Sequence, residues 1–355
     1  MPERMDYNHR GRLWGVDLGS RGSDGHDILR NIEDPVRHVA FIKVPKAAST
    51  TMGNIFLRFG DEMNLKFALP YNGSGGYVLT PKYFYLPPRN ITYDIACAHA
   101  KYNRTDYDKY LHSDTKYIAI IREPFSHFQS YIRYMRPKNL LNISGENPVF
   151  KFLFLNTIRR NKTNRVDIIC NSMARYLGFP SEIFFKKRNQ TLIDNYIRKL
   201  ETEIDFVMIV EFFDESIVMM RRLLHWELRH VLYSKLNVNK NIDARLKFGS
   251  NEGKLHKICA DLEYRLYELF LRKWMDVLRR QSSDFYDEVA YFRKIRMKYE
   301  NFCLFVKSQT KLNVSLTIEG SSWNKPFTVT EGDCMKHHMD FDKYSQILFK
   351  KQQTI

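Results

Sequence analysis

The sequence contains no run of eighteen or more apolar residues and no signal-peptide core, so no membrane-spanning segment is expected within it. It has no C-x-x-C pair, and none of its five cysteines stands at zinc-binding spacing from a histidine. An odd cysteine count leaves at least one thiol unpaired within a monomer. The G-x-x-x-x-G-K-[ST] loop is missing, which argues against a kinase or ATPase of the P-loop type. Internal repeats and low-complexity stretches are absent, so solenoid and fibrous classes are excluded. Acidic residues are scarce beside basic ones, 40 against 56, giving a net charge of +16. Such a balance is either a solvated basic surface or an attraction for anions: nucleotides, acidic or sulfated glycans, membrane surfaces. Nucleic acid is not expected, because the charge is dispersed and no zinc-finger or RNA-binding aromatic motif accompanies it.

What is present is enough for a sizeable core. The 355 residues, 44% hydrophobic and 14% aromatic, suit one large domain or two small ones. Residues 1–36 are polar and aperiodic and read as a mobile leader. Seven N-x-[ST] sequons, at Asn72, Asn90, Asn103, Asn142, Asn161, Asn189 and Asn313, argue for the secretory route. Cys303 and Cys334 flank the tail and are the pair expected to bond; the alternative is that both are free. Cys97 lies in an apolar run and is expected in the core.

The chain is organised around His38–Gly60, HVAFIKVPKAASTTMGNIFLRFG. His38–Val44 reads as a buried strand. A helix follows, with Ser49 as N-cap, Met52, Ile55, Phe56 and Phe59 on one face, and Gly60 as the stop. Between them, PKAAST carries Lys46. A strand turning into a helix N-terminus points free N–H groups and a positive dipole end at an anion, and Lys46 adds a full charge. Taken alone, the window is equally an ordinary strand–helix connection with a solvated lysine.

Further strands are expected at Ile91–Ala98, Lys116–Ile121 and Phe206–Val210. His99 follows the first of these, and strand ends are where ligand-site residues gather in open α/β sheets. The second runs into REPFSHFQSYIRYM, where Pro124 fits N1 of a helix with a stripe of Phe125, Phe128, Ile132 and Met135. Arg122 at the strand end and Ser130 two turns into the helix can grip one phosphate from two sides. Tyr71–Pro88 reads as a loop over a cleft. Asp214 is the expected N-cap of a helix carrying Ile217, Met220 and Leu224 inward. Leu255–Leu278 reads as one helical stripe through Ile258, Leu262, Leu266 and Leu269. A second helix carries Phe285, Val289, Phe292, Ile295 and Tyr299, and the last fifty residues read as loop-rich.

Several of these stretches resemble carbohydrate sulfotransferases, which use 3′-phosphoadenosine 5′-phosphosulfate (PAPS) as donor. KVPKAASTT is similar to their 5′-phosphosulfate loop, in the VPKxAST form of the heparan-sulfate and uronyl 2-O-sulfotransferases, and departs from the usual loop of the galactose 3-O family at Ala47 and Ala48. REPFSHFQS matches the R-[DE]-P-x5-S signature of the 3′-phosphate site. AHAKYN resembles the H-H-x-[RK]-[FY]-[ND] block of the galactose 3-O-sulfotransferases, with Ala98 replacing the first histidine. The long EFFDESIVMMRRLLHWEL stretch is similar to that same family.

The resemblance implies an α/β fold with a central parallel sheet flanked by helices. It implies a sulfotransferase domain over 37–303, with 1–36 as leader or stem remnant and 304–355 as a tail packed on the domain. It implies sulfate transfer from PAPS to the 3-hydroxyl of a terminal galactose on a glycolipid or glycoprotein. Lys46, Ala47, Ala48, Ser49, Thr50 and Thr51 would hold the 5′ end of the donor, and Arg122 and Ser130 the 3′ phosphate. His99 would be the general base, with Lys46 balancing charge on the leaving oxygen. No metal is expected there, since a sulfuryl group carries less charge than a phosphoryl group. Members of the family are type II membrane proteins of the Golgi lumen with an N-terminal anchor, and no anchor segment is expected within this sequence. The alternatives are a uronyl or heparan 2-O-sulfotransferase and a non-catalytic PAP-binding or lectin-like relative.

Overall fold

The computed structural model describes residues 34–70, 91–135, 143, 145–158, 169–185, 189–234, 245–309 and 314–353. The expected loop over Tyr71–Pro88 and nearly all of the leader lie outside the described residues. At the centre is a four-stranded, all-parallel sheet in the order β2-β1-β3-β4. Its strands are β1 (Val39–Ile42), β2 (Ile95–Ala96), β3 (Lys116–Ile121) and β4 (Phe206–Ile209). All but Lys116 are buried, as a sheet covered on both faces requires. β3 fills its expected span. β2 is shorter than the apolar run that suggested it: only Ile95 and Ala96 pair with Val39 and Ala40, while Tyr93 bridges to Leu111.

α1 (Ser49–Glu62) follows β1, and α2 (Pro124–Met135) follows β3. Two expectations about α1 are corrected. Ser49 is the first helical residue, and the cap is Ala48, in the left-handed region. Gly60 is inside the helix, where a Cβ would lie 2.3 Å from the Phe67 ring; the glycine serves close packing, not termination. In α2, Phe128 and Ile132 are buried as expected, but His127 joins them, and Phe125 and Met135 are only half-buried.

The remaining longer helices are α3 (Pro148–Ile158), α4 (Gln190–Glu203), α5 (Phe213–Leu224), α6 (Ser250–Cys259), α7 (Asp261–Arg279) and α8 (Ser283–Ser308). Asp214 does not cap α5. It sits in the first turn, accepts from the Tyr233 hydroxyl at 2.6 Å and pairs with Arg293. Ile217, Met220 and Leu224 face inward. The expected single helix over Leu255–Leu278 is two, broken at Ala260, and Ile258 is exposed because it belongs to the first. All five stripe residues of α8 are buried. Trp226 packs in the core, its ring 3.7 Å from Phe59 and its indole N–H donating to the Val36 carbonyl at 2.9 Å.

The described residues of the tail form regular elements, contrary to its loop-rich reading. It forms an antiparallel hairpin of β5 (Ser315–Ile318) and β6 (Phe327–Thr330), then α9 (Glu331–His338) and α10 (Phe341–Gln353). Cys303 in α8 bonds to Cys334 in α9. A second disulfide, Cys170–Cys259, had no sequence signal; it ties a short helical segment to the end of α6. Cys97 is the free, buried cysteine. The tail packs on α1: Asn54 donates to the Lys336 carbonyl, and Asp61 takes Lys336, Lys351 and the Tyr344 hydroxyl.

Candidate active site

The order β2-β1-β3-β4 reverses direction between β1 and β3, the point where open α/β sheets bind ligands at the carboxyl ends of their strands. The β1–α1 turn lies there. Lys46 and Ala48 both have positive φ, 64° and 54°. These two left-handed residues fold the chain sharply into α1. No side chain caps α1 and no acid occupies its first turn; the first backbone bond reaching it runs from Met52 N to Ala48 O, at 3.2 Å. The N–H groups of Ser49, Thr50 and Thr51 therefore lack intrahelical acceptors and sit at the positive end of the helix dipole. Exposure alternates through the turn: Lys46, Ala48 and Thr50 are half-buried, whereas Ala47, Ser49 and Thr51 are buried.

Arg122, leaving β3, crosses the switch point and donates to the Lys46 carbonyl at 3.3 Å. Its buried Nε has no hydrogen-bond partner among the described residues. Burial and the Arg122 charge together push the Lys46 ammonium below its usual range. Two cations held this close, one with an unused donor, make a site suited to an anion. The Lys46 ammonium lies over the ring of Tyr134, 3.8 Å from its centroid.

Ser130 stands on α2 at i−3 from Arg133 and i−4 from Tyr134, so the three share a face. Arg133 is the third cation of this cluster, and its buried Nε is also unpartnered among the described residues. Glu123 organises the helix start, its carboxylate accepting from Phe125 N at 2.9 Å and Ser126 N at 2.6 Å. Glu211, beyond β4, accepts from Glu123 N and from the Tyr267 hydroxyl, each at 3.0 Å, and offsets the Arg122 charge.

His99 follows β2. Its Nδ1–H donates to the Lys43 carbonyl at 2.9 Å, which fixes the tautomer in which Nε2 carries the lone pair. Burial, with the Lys43 charge second, pushes its pKa down to about 3, so the resting ring is neutral. Thus the ends of β1, β2 and β3 bring Lys46, His99 and Arg122 to one edge of the sheet.

Three residues that sequence reasoning did not single out support this edge. His127 donates from Nε2 to the Pro45 carbonyl at 2.8 Å and steadies the turn from beneath. Arg133 carried a signal, its i+3 spacing from Ser130. Lys43 is buried at the end of β1, its Nζ 2.9 Å from the centroid of the Phe341 ring at the start of α10. Burial pushes its pKa down to about 7, opposed by Cys97, Asp342 and Asp340.

The galactose-3-O-sulfotransferase family model matches residues 24–322. Human galactose-3-O-sulfotransferase 3 is 28% identical over 289 residues, covering 78% of this chain and 65% of the relative. The Mus musculus protein of that name is 32% identical over the same shares. Mus musculus galactosylceramide sulfotransferase is 28% identical over 285 residues, covering 76% of this chain and 64% of its own length. The chain thus spans just under two thirds of these relatives. With the family model spanning most of its length, the chain belongs to the galactose-3-O-sulfotransferase family.

Proposed function

We propose that this chain transfers sulfate from PAPS to the 3-hydroxyl of a terminal galactose on a glycolipid or glycoprotein. The observation that carries the reading is the pairing of Lys46 and Arg122 across the β1–β3 switch point, beside an uncapped helix N-terminus. The unpartnered Nε of Arg122 fits a bound phosphate. The donor, when bound, supplies an activated sulfuryl group. Around it, the backbone of Lys46–Thr51 and the Ser49, Thr50 and Thr51 hydroxyls hold the 5′ end, with Thr50 the most open of the three. Arg122 and Ser130 hold the 3′ phosphate, joined by Arg133.

His99 accepts the acceptor hydroxyl proton at Nε2. Its low resting basicity rises when anionic groups enter beside it, because they stabilise the imidazolium. General-base catalysis of this kind is worth about 10²–10⁴-fold. Lys46 leaves the Tyr134 ring to balance charge on the oxygen released from the sulfuryl group.

Disulfides and exposed sequon asparagines suit the Golgi lumen, an oxidising compartment. Among the described residues, two disulfides are present, and Asn103 and Asn189 are exposed. No helix among those residues is long and apolar enough to cross a membrane. The test is transfer of labelled sulfate from PAPS to galactosylceramide, N-acetyllactosamine glycosides and desulfated heparan. Product mapped to O3 of galactose supports the reading; transfer to heparan alone contradicts it.

A further inference from the structure

The tail of the chain is linked to His99 through one buried lysine. Lys43 follows β1 directly and is buried, and its carbonyl accepts from His99 Nδ1 at 2.9 Å. Its ammonium lies against the face of the Phe341 ring, 2.9 Å from the centroid, at the first residue of α10. α1 makes room for this contact at Gly53: a Cβ there would sit 2.7 Å from the Phe341 ring and 3.3 Å from Lys43 Nζ. Further along α10, the Tyr344 hydroxyl and the Lys351 ammonium each reach Asp61 of α1 at 2.9 Å. The Gln352 amide accepts from Phe67 N at 3.1 Å and donates to Phe67 O at 3.2 Å, much as a neighbouring strand would. Phe67 in turn bridges to Ile95 of β2. α10 is thus fixed to α1 and to the β2 edge of the sheet, and from that position it sets Phe341 against Lys43.

A lysine ammonium is rarely buried without a partner, and an aromatic face is one that holds it in a single place. We propose that Phe341 and Lys43 are positioning residues for His99: the ring fixes the lysine, the lysine carbonyl fixes the tautomer and orientation of the imidazole, and the ammonium opposes a positive charge on it. The proposal rests on the reading of His99 as the general base.

The charges around Lys43 support this arrangement. After burial, the Lys43 charge is the second cause that lowers the basicity of His99. Burial disfavours the ammonium itself, and Cys97, Asp342 and Asp340 are the groups that oppose its loss of charge. Cys97 stands directly after β2 and keeps its proton, because burial pushes its thiol up to about 12. The two acids beside Phe341 in sequence therefore supply the opposing charge, and they belong to the same tail as the ring. Gly53, on α1, adds none. A charged Lys43 keeps the imidazole unprotonated, the form in which it can take a proton from the acceptor.

The experiment uses the full chain. The pH profile of kcat/KM for sulfate transfer to a galactoside is measured for the unaltered protein, Lys43→Met, Phe341→Leu and the double variant. PAP affinity and melting temperature are measured on each preparation. The titration of the His99 ring is followed by NMR with isotope-labelled histidine, its signal assigned by its loss in His99→Ala. In Lys43→Met the acid limb of the profile should move to higher pH by about one unit, because a like charge beside the base is gone. Phe341→Leu should move it the same way by less, and should add nothing in the double variant, because the ring acts through the lysine. PAP affinity should hold throughout. A purely structural role for the pair would change the melting temperature and the height of the profile and leave the limb in place. An acid limb unmoved in Lys43→Met, or a Phe341→Leu shift that persists in full beside Lys43→Met, overturns the proposal. If His99→Ala retains turnover, the base reading fails, and the ring titration decides alone. A His99 midpoint raised in Lys43→Met then supports the control of the imidazole by Lys43, and an unchanged midpoint overturns it.

Discussion

The guanidinium of Arg122, at the end of β3, donates to the main-chain carbonyl of Lys46, in the turn after β1, across 3.3 Å. That bond joins the two strands between which the sheet reverses its order. It presents two cations to one small space, without an acid in the first turn of α1 to neutralise them. The proposed donor site rests on that pairing of charges.

On the proposed reading, removing Arg122 is expected to cost anion binding before it costs the fold. Charge-assisted hydrogen bonds are worth about 1.5–3 kcal/mol. Arg122→Ala is expected to weaken adenosine 3′,5′-bisphosphate (PAP) binding by roughly 10–100-fold, measured by calorimetry, with little change in melting temperature. Arg122→Lys keeps a charge but loses the forked donor set, and should recover only part of the affinity.

Ala48 pays a conformational cost of its own. It caps α1 at φ 54°, ψ 17°, a conformation that disfavours a Cβ by about 1–2 kcal/mol. Ala48→Gly removes that strain but gives some of it back as freedom in the unfolded chain. The expected result is a stabilisation of about 1 kcal/mol in urea unfolding, with PAP affinity kept. A loss of stability would contradict the left-handed cap.

The legible parts of the molecule were those where local pattern and tertiary demand agree. Lys116–Ile121 is apolar, β-branched and bounded by a polar start and Arg122, and it forms a strand over that span. Pro124 presets the first turn of α2, and Ser130 falls inside that helix as expected. The illegible parts depend on distant residues. Gly60 reads as a helix stop, yet Phe67 and Ile95 require it inside the helix. Leu255–Leu278 keeps a helical period through its break, because Ala260 turns the chain without disturbing the pattern. Lys43 lies in the run read as a buried strand, but nothing local shows what meets its ammonium; Phe341, nearly three hundred residues on, does. The Cys170–Cys259 bond joins segments 89 residues apart with no local sign of the pairing.

Lys43 gives the protein a specific pH dependence. Its folded pKa is about 7, against 10.5 ordinarily. Between those values the unfolded chain holds a proton that the folded chain lacks. Stability contributed through Lys43 therefore rises with pH from about 7 to 10, and its full penalty applies below 7. Lys43→Met should stabilise the protein most near pH 6 and progressively less toward pH 10, in urea unfolding at matched ionic strength. A gain independent of pH would contradict the buried cation.

The Cys303–Cys334 bond, across 31 residues, holds the tail against α8 and so against α1. Crosslinks closing loops of this size contribute about 2–4 kcal/mol. Cys303→Ser with Cys334→Ser should lower stability by that amount. Because α9 and α10 bear on the helix that follows the Lys46 turn, PAP affinity should fall with it. Unchanged stability would show that packing alone holds the tail.

The most direct test of the account is sulfate transfer by His99→Ala, with PAP affinity measured on the same preparation. His99 is tied to the Lys43 carbonyl and is assigned to the acceptor proton, not to the donor. Turnover from PAPS to a galactoside should fall about 10²–10⁴-fold while PAP affinity stays within about twofold of the unaltered protein. Equal loss of turnover and PAP affinity, or turnover retained, would contradict the assignment of His99 as the base.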